Sequence, residues 1–253
     1  MNLLSVRGLG KRFGGIDAVT DVSFDIRRGP VHAVIGPNGA GKTTLFNLVT
    51  GVYTPSSGQV AMEGRDLAGL PVHQRAALGL SRTFQNLQIC MNMTALENVM
   101  LGAHLGLDGR FLPLLLRLPR AGRQDRACRE RAAELMHFVG AGAYVDAAAS
   151  AMPYGALKRL EIARALAAGP RLLLLDEPAA GLNHTETAEI ASLIRKLADS
   201  GITVVLVEHD MKLVMSVSDH IVVLNHGRKL AEGRPEQIRA NPDVVTAYLG
   251  QAA

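Results

Sequence analysis

The segment Gly36-Pro37-Asn38-Gly39-Ala40-Gly41-Lys42-Thr43 constrains this chain more than any other. It has the spacing Gly, four residues, Gly, Lys, Thr, and it stands between an apolar run, Val31 to Ile35, and a helical run, Thr44 to Val49. A strand that turns through glycines into a helix lets successive backbone N–H groups curl around a phosphate chain, and the new helix adds its positive end. In such a loop Lys42 bridges the β- and γ-phosphates and the Thr43 hydroxyl ligates Mg²⁺. The second constraint is Leu172-Leu173-Leu174-Leu175-Asp176-Glu177-Pro178, an apolar strand that ends in two adjacent carboxylates. Together the two segments predict binding of a nucleoside triphosphate, with hydrolysis.

The bulk properties leave room for that and exclude several alternatives. With 253 residues, 48% hydrophobic and 20% charged, the chain reads as one large globular domain or a domain with a lobe. No stretch reaches the roughly 18 uncharged apolar residues of a membrane span, and Phe111 to Leu118 is interrupted by Pro113 and Arg117. Met1 to Lys11 lacks the layout of a secretory signal, so the chain reads as cytoplasmic. Cys90 and Cys128 have no metal-type spacing and read as two reduced thiols. The net charge of +4 permits contact with acidic surfaces without demanding it. Its basic cluster, Arg117, Arg120, Arg123, Arg126, Arg129 and Arg131, reads first as a solvated helix face. Aromatic residues at 4% and the absence of Trp give little support to base stacking, and no nucleic-acid partner is expected.

The pattern along the chain is β first, helical in the middle, then alternating. Strands are expected at Leu3 to Leu9, Val22 to Ile26, Val31 to Ile35 and Gln59 to Met62. From Asn86 to Ala168 no strand is expected. Helices are read from the capping box Thr94-Ala95-Leu96-Glu97 into Ala103, over Asp125 to Val139, and over Ala156 to Ala168, with a loop and a short helix in Gly102 to Gly122. Strands return at Leu172 to Leu175, Thr203 to Val207 and Ile221 to Leu224, with a helix striped by Ile190, Leu193, Ile194 and Leu197 between the first two. Short apolar strands flanked by helices imply a parallel sheet covered on both faces, and ligands bind at the carboxyl edge of such sheets. The phosphate loop, the carboxylate pair and His209 each follow a core strand and should converge there.

Each candidate group has an ordinary alternative. Asp176 ends a buried strand, where a carboxylate is costly without a cation, and Mg²⁺ would compensate it. Glu177 could polarise an attacking water or cap the next turn. His209 could sense a γ-phosphate or be structural, with Asp210 as N-cap of the helix from Met211 to Val217. Gln85, in Arg82-Thr83-Phe84-Gln85-Asn86, could touch Mg²⁺ or the water and couple nucleotide state to lobe rotation, or be an ordinary polar residue. Phe13 by itself reads as a core aromatic. Asn183-His184-Thr185-Glu186 reads as a capping box and also suits a subunit contact.

These residues, in this order, resemble the ATP-binding subunit of an ABC transporter over nearly the whole chain. Gly36, Pro37, Asn38, Gly39, Ala40, Gly41, Lys42, Thr43 and Thr44 match Walker A, Gln85 the Q-loop, Leu172 to Glu177 Walker B with its catalytic Glu, Ala180 to Asn183 the D-loop, and His209 the switch histidine. Phe13 matches the adenine-stacking aromatic. Met152-Pro153-Tyr154-Gly155-Ala156 stands where the signature belongs, and its role passes to Tyr154 and Gly155. Within the family the chain looks most like the ATPases of branched-chain (hydrophobic) amino-acid importers. The residues behind this include Arg12 to Gly15, Tyr154-Gly155 with Lys158 to Arg164, Glu208 to Met215, and the tail from Pro235 to Gly250.

The resemblance implies an α/β P-loop NTPase fold of the ABC ATPase type. It would have a mainly parallel twisted sheet, an N-terminal antiparallel β layer and an inserted helical lobe, with residues 1–85 and 169–253 as core and 86–168 as lobe. It implies ATP and Mg²⁺ held by Thr43, Gln85 and Asp176, with Glu177, His209 and Gln85 in the catalytic machinery. It implies a second ABC ATPase subunit, a related paralogue or a copy of this chain, two membrane permeases, and a periplasmic solute-binding protein acting through them. The chain would be peripheral on the cytoplasmic face of the inner membrane. Alternatives are an importer of another solute, a lipid exporter, or a soluble ABC ATPase of DNA repair or translation. Pro153 replaces the signature Ser, Ala156 the signature Gln and Asn183 the D-loop Asp, substitutions that suit a subunit working beside a partner with a stronger signature.

Overall fold

The computed structural model describes residues 2–103 and 119–249. They fall into two compact units, one from Met1–Arg82 with Arg171–Ala253 and the other from Thr83–Pro170. The expected apolar cluster Phe111 to Leu118, with Arg117 and most of the loop from Gly102 to Gly122, lies outside the described residues.

The first unit is built on two sheets. β1 (Asn2–Phe13) and β2 (Ile16–Arg27) form a long antiparallel hairpin, and β4 (Ser57–Met62) and β5 (Arg65–Asp66) extend it in the order β2-β1-β4-β5. The larger sheet runs β10 (Arg228–Gly233), β9 (His220–Asn225), β3 (Val31–Ile35), β8 (Thr203–Val207), β7 (Leu172–Asp176), β6 (Leu80–Arg82). Its strands pair in parallel except β10, which is antiparallel to β9. Every residue of β3, β7 and β8 is buried. That is why these strands read as unbroken apolar runs, since a parallel strand is covered on both faces.

Helix α1 (Lys42–Thr50) lies between the two sheets. Its Leu45, Phe46, Leu48 and Val49 join one core with Leu4, Val6, Leu9 and Phe24 of the hairpin and Leu174, Val205, Val207 and Leu224 of the parallel sheet. Each such side chain contributes about 1.5–3 kcal/mol by leaving water, so the phosphate loop is anchored on both sides by rigid packing. The short helix α2 (Val72–Ala77) places buried Arg75 so that its guanidinium donates to the carbonyls of Leu48 and Val49 at 3.0 and 2.8 Å. It thereby closes the C-terminal end of α1.

The second unit is helical. It contains α3 (Ala95–Gly102), α4 (Pro119–Phe138) and α5 (Tyr154–Ala167), which pack against one another. The Thr94–Glu97 capping box forms as read. Helix α4 begins at Pro119, six residues before the expected start, and carries exposed ion pairs Arg126–Glu130, Arg129–Asp125 and Arg131–Glu134. In the first unit, α6 (His184–Asp199) starts at the Asn183–Glu186 capping box, and α7 (Met211–Val217), α8 (Pro235–Ala240) and α9 (Pro242–Leu249) follow. Cys90 and Cys128 are both free thiols. Among the described residues no helix is long and apolar enough to cross a membrane.

At the amino edge of the parallel sheet, His32 is buried and its pKa falls to about 4. Desolvation is the main cause, opposed by the Arg27 backbone, while His220, 5.7 Å away ring to ring, lowers it further. The folded value lies below the unfolded value of 6.5, so between pH 6.5 and 4 the unfolded chain takes up a proton that the folded chain does not. Stability is therefore complete above pH 6.5 and falls as pH drops toward 4, by about 3 kcal/mol for a shift of this size. Denaturant titrations at pH 7 and pH 4.5 should show the loss in the wild type and a smaller one in His32→Phe. Equal losses would assign the titration to another group.

Candidate nucleotide site

The loop between β3 and α1 is shaped by close approach. A Cβ on Gly36 would meet the carbonyl oxygen of Leu224 at 2.2 Å, and one on Gly41 would meet that of Ala18 at 2.6 Å. Gly41 also has φ 97, a conformation open to glycine, and it caps α1 without any side-chain hydrogen bond. The first-turn amides of α1, from Lys42, Thr43 and Thr44, therefore have no capping side chain, and no acidic residue stands in that turn. Pro37 and Ala40 are buried, whereas Asn38, Gly39 and Thr43 are exposed. The result is a concave run of amides backed by packed structure and open to solvent, which suits an anion.

Lys42 lies folded over this loop. Its Nζ donates to the carbonyls of Gly36 at 2.7 Å and Pro37 at 3.0 Å. Burial lowers its pKa from the ordinary lysine value, and Glu177 and then Asp176 pull it back up. The lysine is thus poised between the loop and the two carboxylates.

Sheet register brings those carboxylates to the loop. Val207 of β8 pairs with Val34 on one side and Asp176 on the other. Asp176 is therefore two strand spacings, roughly 10 Å, from the residue before Ile35, where the loop starts. Beside any cation that the nucleotide brings, this carboxylate has a partner within the protein. Arg82, at the end of β6, donates to Asp176 Oδ2 at 2.6 Å with side chains only 5% and 4% exposed, and its other terminal nitrogen donates to Asn47 Oδ1 of α1 at 2.6 Å. A protein cation balances the buried carboxylate and fixes its orientation, and the same guanidinium ties β7 to the helix that follows the loop.

Glu177 follows with φ 48, left-handed for a non-glycine residue, and its amide donates to Val207 O at 2.9 Å. Strain of this kind gathers at functional turns. His209, after β8, brings Nδ1 to 3.7 Å from Glu177 Oε1 and leaves its side chain 61% exposed. Glu208 beside it is almost wholly buried. It accepts hydrogen bonds from the amides of Ala179 at 2.9 Å and His209 at 3.2 Å, which pins both the segment after Glu177 and the histidine backbone. Burial raises the pKa of this carboxyl, and those two amides oppose the shift. Asp210 caps α7, accepting from Lys212 and Leu213.

Phe13 is not a core residue. At the tip of the first hairpin its ring is 42% exposed, 5.2 Å edge-on from Tyr53, with the Lys11 ammonium 5.1 Å from its centre. The same hairpin lays Ala18 and Val19 against Gly41.

The phosphate loop, Asp176, Glu177 and His209 thus share the carboxyl edge of one sheet in the first unit. Gln85, Tyr154 and Gly155 belong to the second. Gln85 is exposed just after Thr83. Tyr154 opens α5 with its side chain exposed, Gly155 is buried behind it, and Pro153 caps the helix without a side-chain bond. The Thr43 hydroxyl and Asp176 carboxylate are hard oxygen donors of the kind Mg²⁺ takes alongside phosphate oxygens, so the residues fit that ion. Sequence reasoning assigned no role to Arg82, Asn47 or Glu208. The available signal was charge in the wrong place: an arginine closing Leu80-Ser81-Arg82 and a glutamate directly after the apolar run Thr203 to Val207.

Comparison with known proteins agrees over the full length. Residues 19–180 match the family model described as ABC transporter, and residues 228–253 match that of branched-chain amino acid ATP-binding cassette transporters. The chain is 49% identical to the high-affinity branched-chain amino acid transport ATP-binding protein BraF of Pseudomonas aeruginosa, over 99% of this chain and 98% of that one. It is 46% identical to LivG of Escherichia coli over the same shares. A solved ATP-binding cassette of an ABC transporter in its ADP conformation superposes with TM-score 0.86 at 31% identity, covering 99% of both chains. A dimeric cassette with ADP and phosphate bound gives TM-score 0.77 at 25% identity over 92% of this chain and 98% of that one.

Proposed function

The chain belongs to the ATP-binding proteins of ABC transporters, and from that premise we propose that it is the ATP-hydrolysing subunit of a membrane importer for branched-chain amino acids. The observation that carries the solute class is its likeness, over 99% of its length, to proteins named for high-affinity branched-chain amino acid transport. The match of the tail to the branched-chain family model points the same way.

In this reading the amides from Gly39 to Thr44 and the Lys42 ammonium bind and orient the triphosphate, and Phe13 stacks on the base. A magnesium ion bound beside the phosphates would supply neutralisation of the charge that develops there. Thr43 and Asp176 would hold that ion, with Arg82 keeping the carboxylate aimed. Glu177 accepts a proton from the attacking water. His209 steadies Glu177 and donates to the γ-phosphate. Tyr154 and Gly155 serve the nucleotide of a paired cassette, which makes two composite sites per pair. The dimeric state of a solved relative supports pairing. Pro153 has no amide hydrogen to offer at the signature, which favours a paralogue over a second copy as partner. Two permeases hold the pair on the cytoplasmic face of the membrane, and a solute-binding protein delivers the amino acid from outside.

Uptake of labelled leucine, isoleucine and valine tests this directly. A strain lacking the chain should lose high-affinity uptake of all three and regain it with the wild-type gene but not with Glu177→Gln. Unchanged uptake of the three, with loss of another solute, would overturn the solute class and leave the ATPase reading standing.

A further inference from the structure

The helical unit contains a buried carboxylate that the mechanism above does not use. Glu161 lies on α5 two turns after Tyr154, on the same face, and is only 6% exposed. Its Oε1 accepts a hydrogen bond from the Phe84 amide at 3.3 Å, and the Gln88 amide also points to it. One turn further along, Arg164 donates to the carbonyl of Gln88. Helix α3 grips the same segment downstream. The fully buried Asn98 accepts from the Cys90 amide at 2.8 Å and donates to the Cys90 carbonyl at 3.0 Å.

We infer that Glu161 is a positioning residue that ties the Gln85 segment to the helix carrying Tyr154 and Gly155, so that the two shift as one piece. Every anchor named here holds backbone, so the path of residues 84–90 is fixed whatever their side chains do. Gln85 stands between two held residues, Phe84 and Gln88, with its own side chain exposed. A displacement of α5 is thereby delivered to Gln85. The position would otherwise suit a leucine, since a buried carboxylate is costly and an apolar residue of similar volume packs as well or better. Burial does push the Glu161 carboxyl up, and the Phe84 amide, then Lys158, oppose that shift. The group is kept for its bonds to backbone amides.

The inference rests on the transporter reading, because Gln85 has nothing to report without a nucleotide. The test therefore uses the complete transporter in proteoliposomes and compares Glu161→Ala with Glu161→Gln, which retains an acceptor oxygen. Losing a buried charge-assisted bond should speed amide exchange in residues 83–89 by about tenfold or more in the alanine variant. Solute carried per ATP hydrolysed should fall about fivefold or more, with the KM for ATP within about twofold of wild type and the glutamine variant near wild type in both readouts. Wild-type exchange and coupling in Glu161→Ala would overturn the inference, as would equal damage from Gln and Ala. Should the alanine chain be too unstable to isolate, Arg164→Gln must loosen the same segment, and unchanged exchange there counts against the inference. Failure of the wild-type complex to bind MgATP would instead sink the functional reading.

Discussion

Glu177→Gln should leave MgATP binding within about threefold of wild type while steady-state phosphate release falls by on the order of a hundredfold or more, the range that general-base catalysis supplies. The substitution is nearly isosteric, so the left-handed turn at φ 48 and the amide bond to Val207 need not move. What is lost is the ability to take a proton. Phosphoryl transfer gives the protein little covalent chemistry to do, so orienting and deprotonating the water is one of the few steps a single side chain controls. The Glu177 side chain, 19% exposed, lies beside the buried Asp176, which Arg82 already engages. Of the two carboxylates it is therefore the one placed to meet water. The measurement is phosphate release at saturating ATP beside an equilibrium titration with MgATP. Near-normal turnover would move the base role to another group, with His209, 3.7 Å away, as the first to test by His209→Ala.

How much of this was legible in the sequence follows from how local each feature is. The phosphate loop, the Asp176–Glu177 pair and the two capping boxes are set by spacings of a few residues. The central strands β3, β7 and β8 show because burial on both faces makes them wholly apolar. The edges do not show. β6 and β10 are short or charged, as edge strands are when they resist pairing with other chains, and neither was expected from sequence. The β1–β2 hairpin runs on past its apolar part to Phe13 and Ile16 because ladder hydrogen bonds, not burial, hold that end.

The site divides along the same line. Arg82 is 94 residues from Asp176 in sequence, and only the parallel pairing of β6 with β7 brings them together. Pattern reading does not reveal this partner, because it sees a carboxylate at the end of a strand but not what stands on the neighbouring one. Glu208 was hidden in a similar way. It stands beside His209 in a run that matches the family, and only the fold brings the Ala179 amide, 29 residues away in sequence, to its carboxylate.

Lys42→Ala should weaken MgATP binding by on the order of 10- to 100-fold, the loss expected when one charge-assisted phosphate contact is removed. An ammonium has three donors. Two are committed to the carbonyls of Gly36 and Pro37, which holds Nζ in the concavity of the loop before any ligand arrives. Little side-chain entropy then remains to be lost on binding, so nearly the whole interaction should appear as affinity. The variant should still fold. The α1 core of Leu45, Phe46, Leu48 and Val49 is untouched, and the two carbonyls lie beside an open loop where water can replace the lysine. Calorimetric titration with MgATP beside a thermal melt separates loss of binding from loss of fold, and unchanged affinity in a folded variant would overturn the phosphate-loop assignment. Lys42 also feels Glu177 as its strongest neighbouring charge, so the two sites are coupled. Adding Glu177→Gln to Lys42→Ala should cost less turnover than the two single losses multiplied together, because each substitution removes part of the field in which the other group works.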